Sequence, residues 1–224
     1  MTPFPVLSWQ QQIAARLGVL SRLKAAGTML FMALFFWAYF AVLRNPPVPP
    51  LVMPLTAIDA WVPFTAAAFP VYVSLWVYVS IPPALIGSFR ALAVFGIWIA
   101  ALCLLCLATF WLFPTAVPMP AIDWASHPEM AIIKGLDTAG NACPSLHVAS
   151  AVFSAFWLER LFAKVGAPAL LRGASVLLCL AILWSTMATR QHVFLDVLAG
   201  VLVGALFAIL SLRQAGAVSA PGGI

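Results

Sequence analysis

From Ala91 to Phe113 the chain carries 23 consecutive residues without a single charge. A helix needs about 20 apolar residues to cross a bilayer core about 30 Å thick. Backbone buried in lipid must find its hydrogen bonds within the protein, which leaves helices and closed barrels as spanning structures. The rest of the sequence repeats the pattern. Of 224 residues, 64% are hydrophobic and 8% charged, with mean hydropathy +1.07, where a soluble domain has roughly 25% charged residues. The chain reads as an all-α polytopic membrane protein forming one bundle.

Five further apolar stretches accompany the first. Ala25 to Leu43 follows a segment in which Trp9, Ile13, Leu17, Leu20 and Leu23 recur at helical spacing among Gln10 to Gln12, Arg16, Arg22 and Lys24. That segment, residues 1–24, is expected to be an amphipathic helix in the membrane interface. A cleaved signal peptide is the competing reading, but the run is longer than a signal core and ends in Arg44-Asn45-Pro46-Pro47 without a small-x-small site. It is therefore read as a retained first span. The second span runs from Trp61 to about Leu85 through Pro63, Pro70, Pro82 and Pro83; Ala91–Phe113 is the third. A polar loop to Ser145 holds Asp123, His127, Glu129, Lys134 and Asp137. Leu146–Phe162, Gly173–Ala188 and Val193–Leu212 complete six spans in a domain covering residues 25–213. Residues 214–224, rich in Gly, Ala and Pro, are expected to form a loose tail.

With six spans the loops alternate sides. Arg16, Arg22, Lys24, Arg90, Arg160, Lys164, Arg172 and Arg213 fall on one side; Arg44, Lys134 and Arg190 fall on the other. The positive-inside rule makes the richer side cytoplasmic. Both termini are then expected in the cytoplasm, with the 114–145 loop and the short loop at Arg190 facing out of it, and a bacterial inner membrane is the expected location. The net charge of +5 is not gathered into a stripe, so nucleic acid is not an expected partner. Cys103 and Cys106 resemble a C-x-x-C pair, but both lie inside an apolar run and read as small packing residues.

Two polar stretches interrupt the apolar pattern at the outward ends of spans. In Gly140-Asn141-Ala142-Cys143-Pro144-Ser145-Leu146-His147, Ser145 is a favoured N-cap, so a helix starts at Leu146 with its positive end toward the loop. Such an end binds anions, and His147 sits in its first turn. In Arg190-Gln191-His192-Val193-Phe194-Leu195-Asp196, His192 and Asp196 are four residues apart and share a helix face. An intramembrane aspartate is a functional candidate by default. A carboxylate accepting from Nδ1 leaves the imidazole lone pair on Nε2, ready as nucleophile or base. Gly200 and Gly204 continue that face and permit close approach of another helix. Because both stretches end at the same side, two histidines, a serine cap and Arg190 can converge on one anion. A phosphate ester fits best, one imidazole attacking phosphorus and the other protonating the leaving oxygen.

Cys143-Pro144-Ser145-Leu146-His147 followed by His192-x-x-x-Asp196-x-x-x-Gly200 resembles the type 2 phosphatidic acid phosphatase superfamily, six-helix membrane enzymes related to vanadium haloperoxidases. The resemblance implies that His192 is a nucleophile forming a phosphohistidine. It further implies that Asp196 orients His192, that His147 is the general acid, and that Ser145 lies in the phosphate cradle. No cofactor or metal is implied; the partners are the bilayer and a membrane lipid phosphate. Three features differ from most members. Leu146 takes the place of a glycine, Ser185-Thr186 replaces Ser-Arg, and a Lys-x6-Arg-Pro motif is missing from the sequence. Pro-Ser-Leu-His with Ser-Thr upstream is more similar to the branch containing fungal inositol phosphorylceramide synthase, which implies headgroup transfer as an alternative to hydrolysis. Arg190 and Lys134 are the expected substitutes for the missing phosphate ligands. Rival readings are a bis-histidine haem site, which needs histidines deep between helices, a zinc site from Cys143, His147 and His192, and a non-catalytic lipid- or partner-binding membrane protein.

Overall fold

A computed structural model describes residues 7–119, 122–128, 130 and 140–218. Among the described residues the protein is 75% helical with almost no sheet, and six helices are long and apolar enough to cross a membrane. It is an integral membrane protein.

The N-terminal amphipathic segment forms α1 (Trp9–Gly18), started by a reciprocal capping box between Ser8 and Gln11. Leu20, at a left-handed φ of 56°, ends that direction, and α2 (Ser21–Arg44), the first span, begins. Lys24 is buried at this junction. Its Nζ donates to the carbonyls of Arg16, in the last turn of α1, and of Ala84, in the last turn of the second span, where a cation is favoured.

The second span differs from the expected continuous run beginning at Trp61. Trp61 closes a one-turn helix, α3 (Ala57–Trp61), and the span proper covers Ala66–Leu85. It comprises a 3-10 turn, α4 (Phe69–Val73) and α5 (Leu75–Leu85), broken at Ser74. Pro70 sits in the first turn of α4, where its missing N–H costs nothing. The third span is α6 (Phe89–Leu112), capped by Ser88.

α7 (Leu146–Lys164) is the most buried span and the centre of the bundle, while α2 is the least buried. α8 (Ala169–Ala188) begins four residues earlier than expected, because Pro168 supplies its start and Arg172 pairs with Glu159 of α7. α9 (Phe194–Val218) continues as helix past Gln214, whose side chain accepts from Trp98 Nε1 at 2.6 Å. The helix thus occupies residues 214–218 of the expected tail.

Two connectors meet over one end of α7. Strand β1 (Leu51–Val52) pairs in parallel with β2 (Thr115–Ala116), and Thr115 also bridges to Asn141. Gly140 adopts φ +137°, a conformation that disfavours a side chain, at the turn into this ladder. The Thr115 hydroxyl accepts from the Cys143 amide at 2.8 Å, so the segment preceding Ser145 is held from both sides.

Candidate active site

The start of α7 is capped as expected. The Ser145 hydroxyl accepts from the Val148 amide at 3.3 Å, and the preceding Cys143–Pro144 peptide is cis. Ser145 is fully buried, and its own amide donates to the Asp196 carbonyl at 2.9 Å. That bond ties the first polar stretch directly to the second. A Cβ on Gly200 would stand 2.6 Å from the Ser145 carbonyl oxygen, and one on Gly204 would meet the Ala149 backbone. The two glycines do what their spacing predicts: they let α9 lie against the first turns of α7.

His192 and Asp196 form the expected pair. Asp196 Oδ2 lies 3.1 Å from His192 Nδ1, and Oδ1 accepts the Val193 amide at 2.8 Å. Asp196 is fully buried, so both oxygens are held and the carboxylate cannot swing away. A carboxylate accepts from Nδ1–H, which puts the imidazole lone pair on Nε2. Thr186 supports this geometry from behind. Its carbonyl accepts the amides of Gln191 and His192, while its hydroxyl turns back to Leu183. Thr186 is thus a buried threonine serving the backbone.

His147 and His192 both line one cavity of about 570 Å³. Its walls come from α2, α4, α5, α6 and α7 and are mostly apolar, with Phe31, Phe35, Leu75, Val79, Phe95 and Ile99 among them. The α2 wall runs from Leu23 to Phe40, about 26 Å of helix at a rise of about 1.5 Å per residue. Lys24 marks the end remote from the histidines. Leu146 also faces this space, next to His147.

Other sequence-selected residues lie differently. Arg190, at a left-handed φ of 56°, donates to the carbonyls of Asp59 (3.3 Å) and Val62 (2.9 Å) and is not among the cavity-lining residues. Lys134 lies outside the described residues. His127 packs edge-on against Phe64, ring centroids 5.1 Å apart. Among the described residues, no group of three or more His, Cys, Asp and Glu side chains is gathered to hold a metal.

Two contributors are harder to see in the sequence. Asp59 caps α3 through a box with Thr56, and its second oxygen accepts the Phe194 amide at 2.7 Å, at the start of α9. Burial works to raise its pKa, but the hydrogen bonds from Thr56 and Phe194 prevail and hold it below the usual aspartate value. The Thr56-x-x-Asp59 spacing was the available signal; the contact with Phe194 had none. Tyr72 is the other: its carbonyl lies 3.0 Å from His147 Nε2, and its ring stacks on the imidazole with centroids 4.1 Å apart.

A buried carboxylate–imidazole pair beside a capped helix start, opening on an apolar cavity within six spans, marks a membrane protein with a paired-histidine site. The family model of the PAP2 superfamily matches residues 94–219, more than half of the chain, and the protein belongs to that superfamily. The match takes in both polar stretches and begins within the third span. Comparisons with curated proteins and with solved structures gave no match.

Proposed function

We propose that the protein is a lipid phosphatase or phosphotransferase that works through a phosphohistidine at His192. The observation that carries this reading is the Asp196-held His192 sharing one cavity with His147. In the first step His192 Nε2 attacks phosphorus in line, and the bond to the ester oxygen breaks as His147 gives that oxygen a proton. In the second step His147 takes a proton from water or from a lipid hydroxyl. The oxygen so activated attacks phosphorus, and the P–N bond to His192 breaks.

Ser145 contributes through the helix start that it caps, where the first-turn amides and the helix dipole favour non-bridging phosphate oxygens. Arg190 engages two carbonyls with a guanidinium that carries five N–H donors, so donors remain for a phosphate. Lys134 completes the proposed binding set. The cavity beyond the histidines takes the lipid chain. The eight-to-three distribution of basic residues supports a site on the extracytoplasmic side with both termini in the cytoplasm.

Headgroup transfer is the second reading, favoured by Leu146. This leucine lines the cavity beside His147, where it hinders the approach of water more than a glycine would. Thr186, uncharged where the resemblance implies an arginine in most members, suits a phosphodiester, which has one negative charge fewer than a monoester.

Purified protein in lipid nanodiscs tests both. Wild type should release phosphate or transfer a headgroup, and should trap covalent phosphate on rapid quenching. His192→Ala should lose both, and Asp196→Asn should fall by about 10²-fold or more while remaining folded. Equal activity in wild type and His192→Ala would sink the mechanism. An inositol phospholipid with a hydroxylated acceptor lipid should turn over faster than phosphatidic acid. Rapid phosphate release from phosphatidic acid without headgroup exchange would remove the transfer reading.

A further inference from the structure

We infer that Tyr72 is the positioning residue of the general acid, and that His147 exchanges its proton with substrate through Nδ1. The inference rests on the acid role proposed for His147 and assigns the atom and the support. A carbonyl oxygen can only accept, so the 3.0 Å contact between Tyr72 O and His147 Nε2 requires the hydrogen on Nε2. The neutral imidazole then carries its lone pair on Nδ1, and the imidazolium carries its transferable proton there. His192 has the opposite arrangement, because Asp196 takes the hydrogen on Nδ1. The site therefore holds two imidazoles in complementary tautomers: one presents Nε2 to phosphorus, the other presents Nδ1 to the leaving oxygen.

The break in the second span explains how a backbone carbonyl comes to serve this purpose. At Ser74 the helix changes from α4 to α5; the Ser74 amide turns back to the carbonyls of Pro70 and Tyr72, and its hydroxyl donates to the Val71 carbonyl at 2.6 Å. Tyr72 lies within this last turn of α4, with its carbonyl facing α7. Its buried ring adds a second constraint. Stacked nearly parallel to the imidazole, at an interplanar angle of 15°, it blocks rotation of His147 about its Cβ–Cγ bond. Such rotation would exchange Nδ1 for a carbon.

During the first step His147 keeps Nε2–H on the Tyr72 carbonyl and loses the Nδ1 proton to the ester oxygen. During the second step Nδ1 takes a proton from the attacking water or hydroxyl. Protons balance over the cycle, and the Tyr72 contact is never broken.

Two measurements test this. Nitrogen-15 NMR of histidine-labelled protein in nanodiscs reads tautomers without turnover, with signals assigned by their loss in His147→Asn and His192→Asn. The neutral form of His147 should carry hydrogen on Nε2 and that of His192 on Nδ1; hydrogen on Nδ1 of His147 overturns the assignment. Kinetics read the positioning. Tyr72→Ala, which keeps the carbonyl and removes the ring, should lose about tenfold or more in kcat with an alkyl phosphate ester. With 4-nitrophenyl phosphate, whose leaving group needs little protonation, it should change less than about threefold. Tyr72→Phe, which keeps the stacked ring, should restore most of what Tyr72→Ala loses, and Tyr72→Ala should add nothing in a His147→Ala background. Equal losses on both substrates, or additive losses, overturn the positioning role. If His147→Ala itself shows no dependence on leaving group, the proposed acid role fails, and the NMR result still decides the Tyr72–His147 pairing by itself.

Discussion

The Ser145 amide donates to the Asp196 carbonyl at 2.9 Å, so the cap of one helix and the first turn of another are joined by a single backbone bond. The two polar stretches lie about fifty residues apart in sequence, yet neither can shift without the other. Gly200 makes the bond possible by removing the side chain that would otherwise strike the Ser145 carbonyl.

Gly200→Ala should therefore damage both stability and activity. The added Cβ would lie 2.6 Å from a backbone oxygen that has little room to retreat, and overpacking of this kind costs about 1–3 kcal/mol. Gly216→Ala, later in α9 where a Cβ meets nothing within 4 Å, should be neutral or mildly stabilising. Thermal unfolding in detergent and turnover of both variants check this; equal behaviour of the two would remove the close contact from the account.

Cys143 reports topology and its own surroundings. It is half-buried beside Ser145, and burial raises its thiol pKa, with a smaller contribution from the charge of Asp196. The thiolate is the reactive form, so labelling by an impermeant maleimide should be slow near neutrality and accelerate at higher pH than for an ordinary cysteine. In intact cells Cys143 should react, and a cysteine introduced at Lys164, at the opposite end of α7, should not. The reverse pattern would put the site in the cytoplasm.

Asp59 makes stability depend on acid. Its folded pKa is lowered, so it contributes stability that is full above the unfolded value of about 4 and is lost as pH falls through the folded value. Asp59→Ala should cost about 1–2 kcal/mol at pH 7 through lost caps on α3 and α9. The difference between variant and wild type should be constant above about pH 5 and shrink over the acid range below about pH 4. Melting curves that stay equally separated across this range would show that the carboxylate is not the source.

Ser154 should be better replaced. Ser74, Ser80, Thr109, Ser150, Ser185 and Ser211 each donate to a carbonyl three or four residues earlier. The buried Ser154 hydroxyl, in the cavity wall, has no protein partner among the described residues. Ser154→Ala removes an unsatisfied polar group and should stabilise the purified protein by up to about 1 kcal/mol, a rise of about 2–4 °C in Tm. A fall in Tm would show that the hydroxyl has found an acceptor.

Much of this was legible in the chain because it is local. Six spans follow from runs of uncharged residues, and the start of α7 from Pro144-Ser145. The His192–Asp196 pair follows from four-residue spacing, and the close helix contact from Gly200 and Gly204. Each depends on helical periodicity or on one residue's own chemistry. Span limits were less legible where a helix starts for reasons outside its apolar run: α8 reaches back to Ala169 because Arg172 finds Glu159 on α7, and the second span starts late because Asp59 and Thr56 close a separate turn at α3.

Tertiary structure alone decided which partner each polar group found. Nothing local pairs Tyr72 with His147, 75 residues away, or Asp59 with the Phe194 amide, 135 residues away. Nor does anything local turn Arg190 toward the carbonyls of Asp59 and Val62. Most buried polar groups are satisfied, but the sequence neighbourhood does not say by what. Burial determined that these groups would pair; the packing of the broken second span against α7 and α8, and of α3 against the start of α9, determined the pairs.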